Sequence, residues 1–165
     1  MQKSKKSTIV VVSVLAILAI GVAVLAILNG RDAEAKRQLR SDAVFLISIN
    51  EAEYRVTLGD IENLGPREIE ANYKKSGKDP ETRSYTGVPF AAVLRLKGIE
   101  RGDLRSASFS AADAYSSILS MEEALDEGNC YIVIDEGDEG PFRMILAQAQ
   151  FSQRWCKLLT NVELK

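Results

Sequence analysis

The chain has 165 residues, 46% of them hydrophobic, with 21 basic and 23 acidic residues and a formal net charge of −2. It contains no histidine, which excludes Ser-His-Asp triads, cysteine–histidine nucleophile pairs, histidine-based zinc sites and histidine-ligated haem. All the acidic residues and all but three of the basic ones follow residue 28, so this part is acidic. We therefore predict no nucleic-acid partner, because binding to phosphates needs clustered positive charge.

The N-terminus predicts a membrane anchor. A lysine-rich tail over 1–8 precedes an uncharged apolar run over 9–28, and a helix of that length spans about 30 Å, the thickness of a bilayer's hydrocarbon core. An A-x-A site at 33–35 leaves a cleaved signal peptide as the alternative, but the run is longer than usual and Arg31 intrudes before the site. We expect a single-pass protein of the cell membrane with its domain on the extracytoplasmic side.

The remainder predicts a stalk and one domain. Residues 29–42 are charged and lack an apolar stripe, which is typical of a short stalk. Residues 43–165 mix strand and helix patterns, which predicts an α+β fold with a largely antiparallel or mixed sheet. Runs of alternating or β-branched residues predict strands at 43–49, 54–58, 67–75, 105–111, 130–136, 142–148 and 161–165.

Helices are predicted from caps and from spacing. Thr57 and Asp60 form a capping box before a short turn that Gly65 ends. Helical periodicity covers 88–98, with Gly98 as the C-terminal cap. Further helices are predicted at 121–128, after a second capping box, and at 152–159.

The two cysteines, Cys130 and Cys156, are too few and too far apart for a zinc or iron–sulfur site. In an exported domain they fit either a disulfide or two buried thiols, and we favour buried thiols. The carboxylates around Gly137 lack the spacing of an EF-hand loop, so no metal site is predicted.

The most polar stretch of the exported part is NYKKSGKDPETRSYTGVP, residues 72–89. One interpretation is a positively charged rim that attracts a small anionic ligand. Its members would be Lys74, Lys75, Lys78 and Arg83. The other interpretation, which we favour, is a solvated loop in which Asp79 and Glu81 offset the positive charge.

Several segments taken together resemble the molybdopterin-binding domain of sulfite oxidase-type oxidoreductases. They are SYTGVPFAAVLRLKGI (84–99), AADAYSSILSMEEAL (111–125), CYIVIDE (130–136), GPFRMIL (140–146) and RWCKLLTNVEL (154–164). The resemblance covers residues 43–165 and rests on the order and spacing of the segments. It implies a mixed α+β fold that cradles the pterin and phosphate of a molybdenum cofactor.

Carried over residue by residue, the resemblance implies cofactor-binding roles for four positions. Thr86 and Gly87 match the family's TGVP turn, Tyr115 matches its Gly-Tyr pair with Ala114 in place of glycine, and Arg143 matches the arginine of its P-x-R strand. The molybdenum-ligating cysteine of the family precedes the TGVP turn, and residues 68–84 of this chain contain no cysteine. The metal has therefore lost its protein ligand.

The sequence thus favours a membrane-anchored extracytoplasmic binding module built on a sulfite oxidase-like fold, without molybdenum catalysis. Its partner would be a small anionic ligand or another envelope protein. Two alternatives stay open. The chain could be a molybdopterin-dependent oxidoreductase that holds the metal by other means, or a structural subunit of an envelope complex in which the helix over 9–28 packs against partners.

Overall fold

The computed structural model describes residue 18 and residues 20–22, 43–74, 77, 79–134 and 141–165. Residues 18 and 20–22 are helical, and the rest of the predicted tail, membrane span and stalk lies outside the described residues. Within the described ranges, no helix is long and apolar enough to cross a membrane. The chain divides into two compact units, Met1–Leu39 and Arg40–Lys165.

The second unit is a sheet-rich domain of mixed α and β structure. Its strands are β1 (Val44–Ile49), β2 (Ala52–Thr57), β3 (Arg67–Tyr73), β4 (Glu81–Pro89), β5 (Ser106–Ala111), β6 (Ser116–Ser120), β7 (Cys130–Ile134), β8 (Phe142–Leu146) and β9 (Leu159–Leu164). Its helices are α1 (Leu58–Asn63), α2 (Phe90–Leu96) and α3 (Met121–Ala124), and a 3-10 turn covers Ser152–Arg154.

The first sheet has five strands in the order β2-β1-β9-β5-β6. β1 and β9 are parallel, and the other neighbours are antiparallel. Phe45, Ile47 and Val162 point to the core and are fully buried. On the other face the hydroxyl of Ser48 donates a hydrogen bond of 3.0 Å to Asn161 Oδ1. Alternation therefore gives this sheet one buried apolar face, and its other face carries polar side chains together with Leu46 and Ile118.

The second sheet has four antiparallel strands in the order β3-β4-β7-β8. Its register aligns one row of residues across all four strands, namely Arg67, Gly87, Val133 and Arg143. Phe142 in β8 is buried and meets Phe45 of the first sheet edge to face, with ring centroids 5.2 Å apart. Because side chains alternate, Arg143 lies on the face away from this shared core.

The helices connect the two sheets through capped, buried contacts. The capping box of Thr57 and Asp60 is present as predicted, and Lys97 adds an ion pair of 2.8 Å to Asp60. Helix α2 ends before Gly98, whose φ of 67° is readily adopted only by glycine. The ring of Phe90, at the start of α2, packs 5.0 Å from that of Phe109 in β5.

Residues 81–89 form strand β4, where the sequence predicted a polar loop and a turn at 86–89. The first half of β4 is exposed on both faces, so it lacks the apolar positions that identify a strand from sequence. Strand β6 was not predicted either, because serines occupy three of its five positions. In both strands the polar composition hides the strand, although each forms an antiparallel pair with the strand that precedes it.

The predicted helix at 152–159 is wrong. Its backbone instead pairs with β8, because the Cys156 N–H donates to the Met144 carbonyl at 3.0 Å and the Met144 N–H donates back at 2.8 Å. Helix α3 also ends at Ala124, earlier than the predicted residue 128. Its capping box is half formed: the Ser120 hydroxyl accepts from the Glu123 N–H, while the Glu123 carboxylate pairs with Arg154.

Candidate functional site

Both cysteines are free and buried, as the sequence predicted. Cys130 lies in β7 and Cys156 lies beside β8, and both are fully buried. Burial raises the pKa of Cys130 far above its ordinary range, and the carboxylates of Glu123 and Asp126 add to the effect. Burial also raises the pKa of Cys156 to about 12, with a contribution from Asp113. Burial thus disfavours the thiolate form that a soft metal binds.

The four residues matched by the family resemblance are distributed over both sheets. Gly87 and Arg143 lie in the same row of the second sheet, two strands apart. Thr86 is exposed on the opposite face of β4 from Gly87. Tyr115 follows β5 of the first sheet, and its hydroxyl donates to the Gln153 carbonyl at 2.5 Å. Thr86 therefore points away from the face of the second sheet that carries Gly87 and Arg143.

Gly87 is required by close packing rather than by a turn. A Cβ atom at this position would lie 2.6 Å from the Ile132 carbonyl oxygen and 2.7 Å from a methyl group of Val133. The backbone of β4 therefore approaches β7 more closely than any side chain permits. The turn expected at 86–89 is absent because these residues pair directly with β7.

The predicted positively charged rim is only partly described, since Lys75 and Lys78 lie outside the described residues. The Lys74 ammonium sits 4.9 Å from the centre of the Phe151 ring. The Arg83 guanidinium stacks 3.9 Å above the Tyr73 ring and pairs with Glu81. Cation–π contacts and the ion pair thus engage both described cations of the rim.

An aromatic cluster covers the face of the second sheet that points away from the shared core. Trp155 is almost fully buried and packs against Tyr73 and Tyr85, with centroid distances of 5.9 and 5.4 Å. We call these three residues the Trp155 cluster. The Tyr85 hydroxyl is buried without a hydrogen-bond partner among the described residues. Burial raises the pKa of Tyr85, against the influence of Arg143 and Arg83, so the phenol remains a proton donor.

The segment 151–155, which contains Trp155, is hydrogen-bonded to elements of both sheets. The Ser152 hydroxyl accepts from the Lys74 N–H at 3.3 Å and donates to the Lys74 carbonyl at 2.8 Å. Arg154 forms two hydrogen bonds to Glu123, of 2.7 and 2.8 Å, and reaches the Ile118 carbonyl at 3.5 Å. These contacts were not predicted, because the sequence pattern of 152–159 had predicted a helix there.

Ala114, next to Tyr115, has a φ of 67°. This left-handed conformation costs an alanine roughly 1–2 kcal/mol, whereas glycine adopts it freely. Ala114 therefore adopts a backbone conformation that favours glycine.

A separate cleft of about 330 Å³ opens where β3, β4 and α2 meet. Its lining includes Arg67, Ile69, Gly87, Arg95 and Tyr131. No pattern along the sequence indicates this cleft. The alternation of β3 does place the side chains of Arg67 and Ile69 on one face, but the cleft also needs residues from helix α2 and strand β7, whose proximity depends on the tertiary fold.

Comparison with known proteins shows a distant fold relationship. No protein-family model matches the chain, and no curated protein matches it. The fold is similar to that of the sulfane dehydrogenase SoxCD from Paracoccus pantotrophus, with a TM-score of 0.60, 14% sequence identity and 76% of this chain covered. The chain spans 38% of the length of that dehydrogenase chain. At this identity the likeness shows the fold alone.

The donor set does not fit a molybdenum ion held by a cysteine. Both sulfurs are buried within or beside strands of the second sheet. Among the described residues, no three side chains of cysteine, aspartate or glutamate gather where a metal ion could lie. The groups that remain available for recognition are arginines, tyrosines and the cleft beside α2. Their chemistry is suited to binding anions and flat apolar molecules.

Proposed function

We propose that the domain over 43–165 is a non-catalytic binding module built on a sulfite oxidase-like fold. The observation that carries this proposal is the state of the two thiols. Cys130 and Cys156 are fully buried, and their raised pKa values disfavour the thiolate. A molybdenum centre of the resembled type needs one accessible thiolate, so the chain keeps the scaffold without the metal ligand.

The comparison with a dehydrogenase supports the scaffold part of the proposal. Its fold covers 76% of this chain, and the chain spans 38% of its length. A module that corresponds to a fraction of a larger enzyme is suited to recognition, because the fold positions ligand-binding groups whether or not chemistry follows. The small ligand or partner protein would bind on the exposed surfaces of the second sheet.

The location is part of the same proposal. The apolar run over 9–28 supports a single-pass anchor in the cell membrane, with the domain over 43–165 on the extracytoplasmic side. A tether would hold the binding surface close to the membrane at a high local concentration. Protease protection of tagged chains in intact cells tests this orientation: the tag after residue 165 should be digested, and a tag before residue 1 should be protected.

Molybdenum and pterin content tests the absence of catalysis. The full chain would be purified natively from a host that makes the cofactor, alongside a cysteine-containing enzyme of the sulfite oxidase type as a loading control. Elemental analysis and pterin fluorescence should find neither component in this chain and both in the control. Near-stoichiometric molybdenum in the chain would overturn the proposal and favour the oxidoreductase alternative.

Thiol labelling tests the observation itself. We expect no reaction of Cys130 or Cys156 with iodoacetamide under native conditions, because alkylation requires an exposed thiolate. Both should react after denaturation without reductant, since neither is in a disulfide. Rapid native labelling of either cysteine would show that a sulfur is accessible and would remove the basis of the proposal.

A further inference from the structure

Three exposed apolar side chains lie close together on the domain. The large apolar side chains that are exposed among the described residues of the domain are Leu96 (44%), Tyr115 (38%), Ile118 (68%) and Phe151 (39%). Exposed apolar residues that are scattered singly are normal on a protein surface, whereas a group of them marks an interaction site. The last three form such a group, because each of them belongs to the segment 151–155 or contacts it.

Two contacts of this segment hold the three residues together. The Tyr115 hydroxyl donates to the Gln153 carbonyl at 2.5 Å, two residues after Phe151. The Arg154 guanidinium reaches the Ile118 carbonyl at 3.5 Å. The exposed patch is the name we give to Tyr115, Ile118 and Phe151.

The exposed patch lies at the end of the first sheet where the domain begins. One row of this sheet crosses four strands at Leu46, Asn161, Ser110 and Ser116. β1, β9 and β6 run in the same direction, with β5 antiparallel between β9 and β6. From this row, β1 therefore leads back to Ala43 at the same end at which β6 leads back to Tyr115. Three strand spacings separate β1 from β6, a distance of about 15 Å.

Charge alone does not select a partner for the exposed patch. The Lys74 ammonium lies 4.9 Å from the centre of one of its aromatic rings. The Asp113 carboxylate accepts a hydrogen bond of 3.1 Å from the N–H of Tyr115, and Arg154 is paired with Glu123. Two cations are thus balanced by two carboxylates, so the patch is suited to a partner that takes up apolar side chains and carries no large net charge.

The interface of a lipid bilayer is such a partner, and the chain brings it close. This step rests on the membrane anchor proposed for residues 9–28. The fourteen residues 29–42 span at most about 50 Å when fully extended, so Ala43 stays near the membrane and the exposed patch meets it at a high local concentration. Aromatic rings, and cations with long apolar stems, are the groups that proteins place at a bilayer interface.

We propose that the exposed patch docks the domain on the surface of the bilayer in which the chain is anchored. Phe151 and Ile118 enter the boundary between the headgroups and the acyl chains, and the ring of Tyr115 lies at the level of the headgroups. The charged ends of Lys74 and Arg154 remain among the lipid phosphates. Docking gives the domain one orientation relative to the bilayer.

Energy transfer from Trp155 to a labelled lipid tests the proposal. Trp155 is the only tryptophan of the chain and ends the segment that Phe151 begins. The full chain would be reconstituted in phosphatidylcholine vesicles that contain dansyl-phosphatidylethanolamine, and its tryptophan emission would be compared with that in vesicles without the dansyl lipid. Flotation of the vesicles first shows that the chain is anchored in them.

Three variants with the same change of charge separate the exposed patch from the rest of the surface. Phe151→Glu and Ile118→Glu each place a carboxylate in the patch. Leu96→Glu is the matched control, because it lies in α2, which follows the end of β4 away from Tyr73. All three positions are exposed, so we expect the variants to fold, and urea unfolding in detergent micelles checks this.

We expect strong quenching of the Trp155 emission in the wild-type chain, because docking holds this side chain close to the headgroups. Phe151→Glu and Ile118→Glu should each weaken docking about tenfold or more, since a carboxylate replaces apolar area that enters the bilayer. The quenching should fall accordingly in both. Leu96→Glu should be quenched as strongly as the wild type.

Three results would overturn the proposal. The first is quenching that is equal in the wild type and in both patch variants. The second is an equal loss of quenching in Leu96→Glu. The third is a wild-type dimer in micelles that dissociates in Phe151→Glu, which would assign the patch to a second copy of the chain. A chain that floats with the vesicles but fails these tests contradicts docking alone, whereas a chain that does not float contradicts the anchor and docking together.

Discussion

The two sheets of the domain use their faces differently. The five-stranded sheet buries one face completely, with Phe45, Ile47 and Phe109 at the centre of the core. Its other face is lined by small polar groups such as Ser108 and Ser116, whose hydroxyls lie 3.1 Å apart. The four-stranded sheet contributes to the same core but also carries ionisable and aromatic side chains on its second face.

Because of this difference, the first sheet contributes mainly to stability, whereas the second sheet also carries groups suited to recognition. The first sheet can be built from alternation alone, because everything on its apolar side contacts one core. The second sheet supports the Trp155 cluster on one side while its other side is fixed by the core. Groups held on a sheet that is packed from behind keep their geometry when a ligand arrives. We therefore expect substitutions on its second face to report on both packing and binding.

The largest expected effect is that of Trp155→Ala. It removes a buried side chain, the contacts with Tyr73 and Tyr85, and the hydrogen bond from Nε1 to the Leu146 carbonyl at 3.2 Å. We expect the free energy of unfolding in urea to fall by about 3–5 kcal/mol. Trp155→Phe keeps a ring and should cost less. A loss below about 1 kcal/mol for the alanine variant would show that the second face adds little stability.

Gly87→Ala should cost about 1–3 kcal/mol in the same urea experiment, because the new methyl group overlaps the β7 backbone. Gly59→Ala is the matched control, since its Cβ would meet only the Thr57 hydroxyl at 3.8 Å. In helix α1 that change should stabilise the domain by about 0.5–1 kcal/mol. Equal effects of the two variants would contradict the close approach of β4 to β7.

The Asp60 carboxylate should make the free energy of unfolding depend on pH in the acidic range. Burial alone would raise its pKa, but hydrogen bonds from Lys97 and Thr57 outweigh burial and lower the pKa below its ordinary value. The contribution is therefore present above the unfolded-state pKa of about 4 and is lost as the pH falls through the folded-state value. Asp60→Asn should lower stability by about 1 kcal/mol at pH 7 and flatten the acid dependence. Urea titrations of the wild type and of Asp60→Asn at several pH values provide the measurement. If the free energy of unfolding varied with pH in the same way in both proteins, the prediction would be contradicted.

The smallest expected effect is that of Ala114→Gly on the first sheet. Relief of the left-handed alanine is partly offset by the greater freedom of glycine in the unfolded chain, so the gain should be up to about 1 kcal/mol. A shift of the thermal midpoint to higher temperature would report it. Ala112→Gly, in the same turn but without a positive φ, should not stabilise. A loss of stability in Ala114→Gly would mean that the methyl group contributes packing.

The sequence predicted the elements whose signals are local. The capping box of Thr57 and Asp60, the stop of α2 at Gly98 and the alternating strand β3 are all present. Strands β4 and β6 escaped prediction because their pairing, not their composition, holds them in place. Trp155 lies outside any helix because distant partners, β8 and Tyr85, decide its position.

The sequence predicted the residues of the candidate sites less well than it predicted the fold. The burial of Cys130 and Cys156 could be inferred from their apolar surroundings, and the structure confirms it. Thr86 and Tyr115 were matched through a resemblance of motifs, but the structure separates them because register and sheet membership are tertiary properties. The cleft at Arg67 joins residues from four elements, and no spacing along the chain indicates that they meet.

The contact of Arg154 with strand β6 has a consequence for self-association. β6 is an edge of the five-stranded sheet, and its Ile118 side chain is 68% exposed. An open edge with an exposed apolar residue and no charge of its own is a template for strand addition between molecules. Arg154, held by Glu123, places a guanidinium on the Ile118 carbonyl. The side chain that links segment 151–155 to α3 therefore also places a positive charge at this edge, a feature that disfavours pairing with the edge of another molecule.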